Sequence, residues 1–264
     1  MFRHVTVAGA VATALALTMM PEAVAQPDIA APKPGASFSW LLGAQGDPPF
    51  ADVIDLDLFD ASAKDVAALK AKGAYLVCYV NVGAFEDWRP DKNAFPSEVV
   101  GKEYEGWAGE RLLDIRRIEA LGPVLTKRFE LCRDKGFDAI EPDNLDGFQA
   151  RSGFALTRED QVKFNRWIAE KAHGLGLGIG IKNVPDLLPE LAASFDFALL
   201  EDCFAQGWCG DFMPFRAAGK AVFAVEYTDE NIDMAAFCTM MKELGFSGLL
   251  KNRNLDRFEG RCPG

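Results

Sequence analysis

Short apolar runs recur along the chain and alternate with stretches of helical periodicity. Eight such runs follow one another, at residues 38–42, 53–59, 75–82, 137–141, 177–182, 197–201, 221–227 and 248–250. Several are apolar almost throughout, as strands buried on both faces are. Between them lie helix signals such as Ser62 before residues 63–72 and Thr157 before residues 158–174. This alternation predicts an α/β fold, a single-domain (β/α)8 TIM barrel over residues 38–264.

An open, doubly wound sheet is the alternative fold. It normally carries a glycine-rich phosphate loop after its first strand, and residues 43–46 are a weak match to one.

The first 25 residues have the pattern of a cleavable signal peptide. Arg3 precedes an apolar run over residues 5–20, and Ala23-Val24-Ala25 is a small-x-small cleavage site. Residues 26–37 are rich in Pro and Ala and are interpreted as a linker. We therefore expect a secreted or periplasmic protein with no membrane attachment after cleavage.

The charge balance narrows the class of partner. The chain of 264 residues has 28 Lys and Arg against 39 Asp and Glu, a net charge of −11. Such an acidic surface argues against nucleic acid or an anionic membrane and is compatible with a cationic ligand. Nothing in the sequence demands a partner chain, so we expect a monomer.

Six cysteines in an exported chain favour disulfides over metal binding, although six allow fifteen pairings. Cys203 and Cys209 would close a short loop, and Cys262 would tie the tail to Cys238. These pairs leave Cys78 with Cys132. There is no CxxC motif, and the histidines are His4 and His173, so we expect no metal and no cofactor.

Polar side chains stand at the ends of the predicted strands. In a TIM barrel these ends meet at one mouth, where chemistry takes place. The candidate substrate-binding residues found in this way are Asp57, Tyr79, Asn81, Glu141, Lys182, Glu226 and Tyr227. The long segment 84–110 should fold over the mouth and bring Trp107 to it.

A mouth rich in carboxylates and nearly free of His suggests glycoside hydrolysis, which needs two carboxyl groups flanking the scissile bond. Asp143 and Glu201 follow the fourth and sixth strands and are the candidate catalytic pair. Trp107 and Trp208 are candidates for stacking on sugar rings or for packing in loops. Lys182 is either a Schiff-base lysine, as in an aldolase, or an ion-pair partner of the carboxylates. Glu226 is either a substrate contact or a partner of Lys182.

Several motifs then carry a family resemblance. They are Trp88-Arg89-Pro90-Asp91, Glu141-Pro142-Asp143-Asn144 with Asp146-Gly147, Gly180-Ile181-Lys182-Asn183, Glu201 with Cys203-Phe204, and Glu226-Tyr227. Together they resemble the endo-α-1,4-polygalactosaminidase family, glycoside hydrolase family 114, over nearly the whole mature chain.

The resemblance implies a (β/α)8 barrel that cleaves α-1,4-linked galactosamine polymers internally, with the catalytic carboxylates at Asp143 and Glu201. Analogy with related barrel glycosidases makes Asp143 the nucleophile and Glu201 the acid/base of a retaining reaction. It also adds Asn144 to the substrate-binding set. The sequence departs from the family at Asn81, where Ser is expected, and at Leu41-Leu42. A non-catalytic polysaccharide-binding barrel is the alternative function.

Overall fold

A computed structural model of the chain describes Met1, residues 29–43 and residues 47–263. Nearly all of the predicted signal peptide, and the start of the predicted linker, lie outside the described residues. Within the described residues, no helix is both long enough and apolar enough to cross a membrane.

The predicted barrel is confirmed. In chain order the strands are β1 (Phe38–Leu41), β2 (Val53–Asp57), β3 (Tyr75–Asn81), β4 (Ala84–Glu86), β5 (Val100–Glu103), β6 (Glu110–Leu113), β7 (Ala139–Asp143), β8 (Gly178–Lys182), β9 (Phe197–Glu201), β10 (Val222–Tyr227), β11 (Ser247–Lys251) and β12 (Gly260–Arg261). Eight of them pair in parallel in the order β1-β2-β3-β7-β8-β9-β10-β11. Each of the eight corresponds to one of the predicted runs.

The barrel is nearly closed where its first and last parallel strands meet. β1 and β11 are in contact, and the Ser247 hydroxyl donates a hydrogen bond to the carbonyl of Ala36 at 2.8 Å. β12 adds an antiparallel pairing to β11.

The helices cover the outer wall of the barrel. They are α1 (Ala63–Lys70), α2 (Ile118–Lys135), α3 (Arg158–Gly174), α4 (Leu188–Leu191), α5 (Cys203–Gln206), α6 (Met213–Ala217) and α7 (Met234–Leu244). The predicted caps are present: Ser62 accepts a hydrogen bond from the Asp65 amide, and Thr157 forms a capping box with Asp160. A large apolar core fills the space between the strands and these helices.

A second apolar core fills the barrel interior and includes Phe38, Trp40, Phe197 and Phe223. Strand residues alternate between the interior and the helix layer, so the inward positions form layers along the barrel axis. Towards the carboxyl ends of the strands these layers change from apolar to charged, and this change creates the site.

The segment after β3, which was predicted to fold over the mouth, contains a three-stranded antiparallel sheet in the order β4-β6-β5. The buried Arg89 joins it to the barrel by pairing with Asp57 at 2.6 Å and with Glu86 at 2.7 Å. Arg128 on α2 pairs with Asp91 at 2.8 Å. These buried ion pairs hold the segment beside the mouth.

All three predicted disulfides are confirmed: Cys78–Cys132, Cys203–Cys209 and Cys238–Cys262. The first ties β3 to α2 across the wall core.

We predict that removing the Cys78–Cys132 bridge costs more stability than removing Cys203–Cys209. The bridges span 54 and 6 residues, and all four sulfur positions are buried. Closing the longer loop restricts the unfolded chain more, by about 2 kcal/mol. Denaturant unfolding of the two double Cys→Ala variants measures this difference, and equal losses would contradict it.

Candidate active site

A cleft of about 420 Å³ opens at the carboxyl ends of the parallel strands. Its lining includes eight of the sequence-predicted site residues, namely Asp57, Tyr79, Trp107, Asp143, Asn144, Lys182, Glu201 and Tyr227. The β4–β6 segment forms one of its sides.

Lys182, at the end of β8, is the centre of this cleft. Its Nζ lies 2.9 Å from Glu141 Oε1, 3.2 Å from Asp143 Oδ1 and 3.0 Å from Glu201 Oε2. It also lies over the Trp40 ring, 4.6 Å from the centroid. Burial opposes the charge, but the surrounding carboxylates hold the pKa of Lys182 well above its usual value. Lys182 is therefore an ammonium ion, which is the ion-pair role and not the state of a Schiff-base nucleophile.

Each of the two candidate catalytic carboxylates also accepts a hydrogen bond from a tyrosine. Tyr79 donates to Asp143 Oδ2 at 2.8 Å, and Tyr227 donates to Glu201 Oε1. The two side chains retain 21% and 23% exposure, whereas Lys182 beneath them retains 6%. Both carboxylates are therefore oriented from below and open to the cleft.

Three strands of the site end in sharp backbone turns. Asn144, Asn183 and Asp202 follow Asp143, Lys182 and Glu201 and have φ values of 63°, 54° and 55°. Asn and Asp tolerate this left-handed region better than most residues. The Asn183 side chain also accepts a hydrogen bond from the Glu201 amide at 2.9 Å. The turn after β8 thus positions the end of β9.

Gly83 fits the chain against the end of β7. A Cβ atom at this position would lie 1.9 Å from the Asn144 carbonyl oxygen, and the Gly83 amide donates to the Asp143 carbonyl at 3.2 Å. Only glycine allows this approach, which fixes the backbone of the candidate nucleophile.

The acidic groups of the cleft repel one another. Burial and the neighbouring Asp143 raise the pKa of Glu110 to about 7. The same two causes raise the pKa of Asp146. A positive charge placed in the cleft would relieve this repulsion.

Three predicted substrate contacts lie elsewhere. Glu141 is fully buried beneath Lys182 and accepts a hydrogen bond from Trp40 Nε1 at 3.0 Å. Asn81 is buried and donates to Glu110 at 3.2 Å, which supports the cleft wall. Glu226 points away from the interior, since it alternates with the inward-facing Tyr227.

The predicted contact at Glu226 is corrected by its hydrogen bonds. Its carboxylate accepts from the amides of Phe204 at 2.7 Å and Ala205 at 3.2 Å and so caps the start of α5. Trp208 is also outside the cleft, where its ring packs on Phe212 with centroids 6.0 Å apart.

Sequence reasoning missed the lining residues Trp40, Tyr104 and Glu110. It placed Trp88, Asp146 and Arg253 near the mouth without giving them a role in the site. Trp88 and Asp146 stand within the motifs quoted above, which was a usable signal. Glu110 and Tyr104 belong to the irregular segment after β3, where no strand period indicates a direction. Arg253 stacks on Tyr227 at 3.9 Å and pairs with Asp202 at 3.1 Å.

Among the described residues, one group with metal-ligand geometry occurs, Cys203, Cys209 and Glu226. Its two sulfurs are joined in a disulfide and are not available as thiolates.

The family model of Glycoside-hydrolase family GH114 matches residues 20–264. The chain belongs to this family, and it is a glycoside hydrolase. No curated protein matches the chain in a sequence search.

Two solved structures resemble it over most of their length. Aspergillus fumigatus Ega3, in complex with galactosamine, is 29% identical with a TM-score of 0.82, covering 88% of this chain and 96% of Ega3. The glycoside hydrolase domain of PelA from Pseudomonas aeruginosa is 19% identical with a TM-score of 0.67, covering 86% of this chain and 98% of that domain. The similarity to the PelA domain supports the barrel fold.

We predict that Glu226→Gln changes stability without changing KM. At pH 5 the variant should be about 1 kcal/mol less stable, because an amide replaces one of the two acceptors that cap α5.

By pH 8 this difference in stability should shrink and reverse, so that the variant is the more stable protein. Burial raises the pKa of Glu226 from 4.5 to about 7, so the wild type loses stability as pH rises through this value, whereas Gln does not titrate. Unfolding free energies and KM at the two pH values measure both effects. A higher KM for Glu226→Gln than for the wild type would show that Glu226 contacts the substrate.

Proposed function

We propose that this protein hydrolyses an α-1,4-linked, galactosamine-containing polysaccharide at internal bonds with retention of configuration. Asp143 is the nucleophile and Glu201 the general acid/base. The observation that carries the proposal is the ammonium group that Asp143 and Glu201 share.

The shared ammonium limits the separation of the two carboxylates. Asp143 Oδ1 and Glu201 Oε2 lie 3.2 Å and 3.0 Å from the same Nζ atom, so they are at most about 6.2 Å apart, the sum of the two distances. Retaining glycosidases have carboxyl groups about 5–5.5 Å apart, and inverting enzymes about 6.5–9.5 Å. The limit lies below the range of inverting enzymes and so supports retention.

The hydrogen bonds orient both carboxyl groups of the proposed mechanism. In the first step Glu201 gives its proton to the glycosidic oxygen while Asp143 attacks the anomeric carbon and forms a glycosyl ester. In the second step Glu201 takes a proton from water, which displaces Asp143. Tyr79 and Lys182 hold Asp143 in the attacking orientation, and Tyr227 holds Glu201.

The charge of the cleft supports a cationic sugar. Seven carboxyl residues line it, namely Asp57, Asp60, Glu86, Glu110, Asp143, Asp146 and Glu201, against three cations, Arg89, Lys182 and Arg253. All three cations are already paired with carboxylates. An unacetylated galactosamine unit would supply the missing positive charge. Ega3, whose structure holds galactosamine, is the relative that supports this choice.

Two exposed tryptophans support the proposal that the substrate is a polymer and not a single sugar. Trp88 and Trp107 both line the cleft, and they are 52% and 53% exposed. Exposed aromatic rings beside a polar cleft are suited to stacking on successive sugar rings.

We also propose that the enzyme acts outside the cytoplasm as a monomer. The three disulfides support this location, because such bonds persist in oxidising compartments.

Asp143→Asn and Glu201→Gln should each lower kcat on galactosamine-rich polymer by at least about a thousandfold, because each removes a group that acts in the transition state. Asp211→Asn and Glu98→Gln, which change exposed carboxylates outside the cleft, are the matched controls and should keep full activity. Product oligomers are read by mass spectrometry at several degrees of acetylation. Equal activity of Asp143→Asn and wild type would refute the assignment, and polymer binding by the wild type without any product would favour a binding module.

Trp107→Ala should raise KM for long oligomers by roughly fivefold, the equivalent of about 1 kcal/mol of lost stacking, with little change in kcat. Trp208→Ala is the control, since Trp208 packs outside the cleft and its loss should lower stability alone. An unchanged KM for Trp107→Ala, measured on the same oligomer series, would remove Trp107 from the binding surface.

A further inference from the structure

Below the site residues, the barrel interior holds one more carboxyl group, that of Asp55 on β2. It faces inward one layer beneath Asp57 and is completely inaccessible to solvent. Its register partners are Trp40 on β1 and Val77 on β3. Family membership and the proposed mechanism leave this group without a role.

No amide, hydroxyl or cation within the described part of the chain donates to either oxygen of Asp55. The side chains of Asp55 and Glu141 are hydrogen-bonded to each other. Two carboxyl groups can share a hydrogen bond only when one of them holds a proton, because ionised carboxylates are acceptors only.

Asp55 is the partner that holds the proton. Glu141 accepts from Trp40 Nε1 at 3.0 Å and pairs with Lys182 at 2.9 Å, so its negative charge is compensated. Asp55 has no such compensation, and burying an unpaired charge is costly.

The surrounding charges agree with this assignment. Burial raises the pKa of Asp55 well above its usual value, Glu141 raises it further, Asp57 adds a smaller contribution, and Lys182 acts in the opposite direction. Asp57 itself pairs with Arg89 at 2.6 Å.

We propose that Asp55 is a positioning residue, whose protonated carboxyl group donates a hydrogen bond to the Glu141 carboxylate and thereby fixes Lys182 between Asp143 and Glu201. The inference rests on the proposed function for its effect on turnover, although the hydrogen bond itself does not. Asp55 donates to Glu141, Glu141 binds Lys182, and Lys182 binds both candidate catalytic carboxylates. Asp55 touches no substrate.

The protonation of Asp55 also limits the negative charge around Lys182. With Asp55 protonated, Lys182 is shared by the three carboxylates Glu141, Asp143 and Glu201. A fourth negative charge would draw the ammonium down, away from the cleft, and weaken its hold on the catalytic pair.

The variants Asp55→Asn and Asp55→Leu are both uncharged, but only Asn can donate a hydrogen bond to Glu141. Asn keeps an N–H donor and is neutral, so we expect kcat within about threefold of wild type and an unchanged pH profile of kcat/KM. Leu has a similar volume and no donor, so kcat should fall at least about tenfold with KM little changed. Asp211→Asn, which changes an exposed carboxylate outside the cleft, is the matched control and should keep the kcat of the wild type.

Infrared difference spectra give a readout that does not depend on turnover or on the sugar. At a pH of about 9, where Glu110 and Glu226, whose pKa values are about 7, are ionised, the wild type should still show the band of a protonated carboxyl group, which Asp55→Asn lacks and Asp211→Asn retains. Absence of this band in the wild type would overturn the proposal. A shifted pH profile in Asp55→Asn, or wild-type kcat in Asp55→Leu, would do so as well. If the wild type has no glycosidase activity, the proposed function fails. The infrared band still shows whether Asp55 is protonated and can donate to Glu141.

Discussion

The ammonium group of Lys182 is the interaction on which the site depends. It lies within 3.2 Å of oxygens from Glu141, Asp143 and Glu201 and is almost completely buried. Removing one member of such a buried ion cluster typically costs about 3–5 kcal/mol, because the other charges lose their compensation. Two strands that are not neighbours in the barrel, β7 and β9, thus present their carboxylates at a defined separation through a lysine on the strand between them.

The barrel makes this arrangement possible through alternation and register. Inward positions change from aromatic and aliphatic residues in the lower layers to charged residues at the carboxyl ends. The sharp turns after Asp143, Lys182 and Glu201 then end each strand where its functional side chain stands. The apolar interior below keeps water out, which strengthens the electrostatic interactions above it. Fold stability and site geometry therefore depend on the same layers.

The sequence predicted the eight strands, the disulfides and eight of the residues that line the cleft, because buried strands and strand ends have strong local signals. It misplaced Glu226, although a strict application of the two-residue period would have separated it from Tyr227. The same period relates Asp55 to Asp57, but an acidic residue in a buried strand was not recognised as functional. Glu110 and Tyr104 were beyond reach, since their positions depend on how the irregular segment folds back through Arg89.

The central claim is that Lys182 holds the two carboxylates close enough for a double displacement. The most direct test is the configuration of the first-formed product, followed by proton NMR before mutarotation, during cleavage of an α-1,4-linked galactosamine oligomer. If the reaction proceeds with retention, the new reducing end appears as the α anomer and equilibrates afterwards. Initial formation of the β anomer would show inversion and contradict the account.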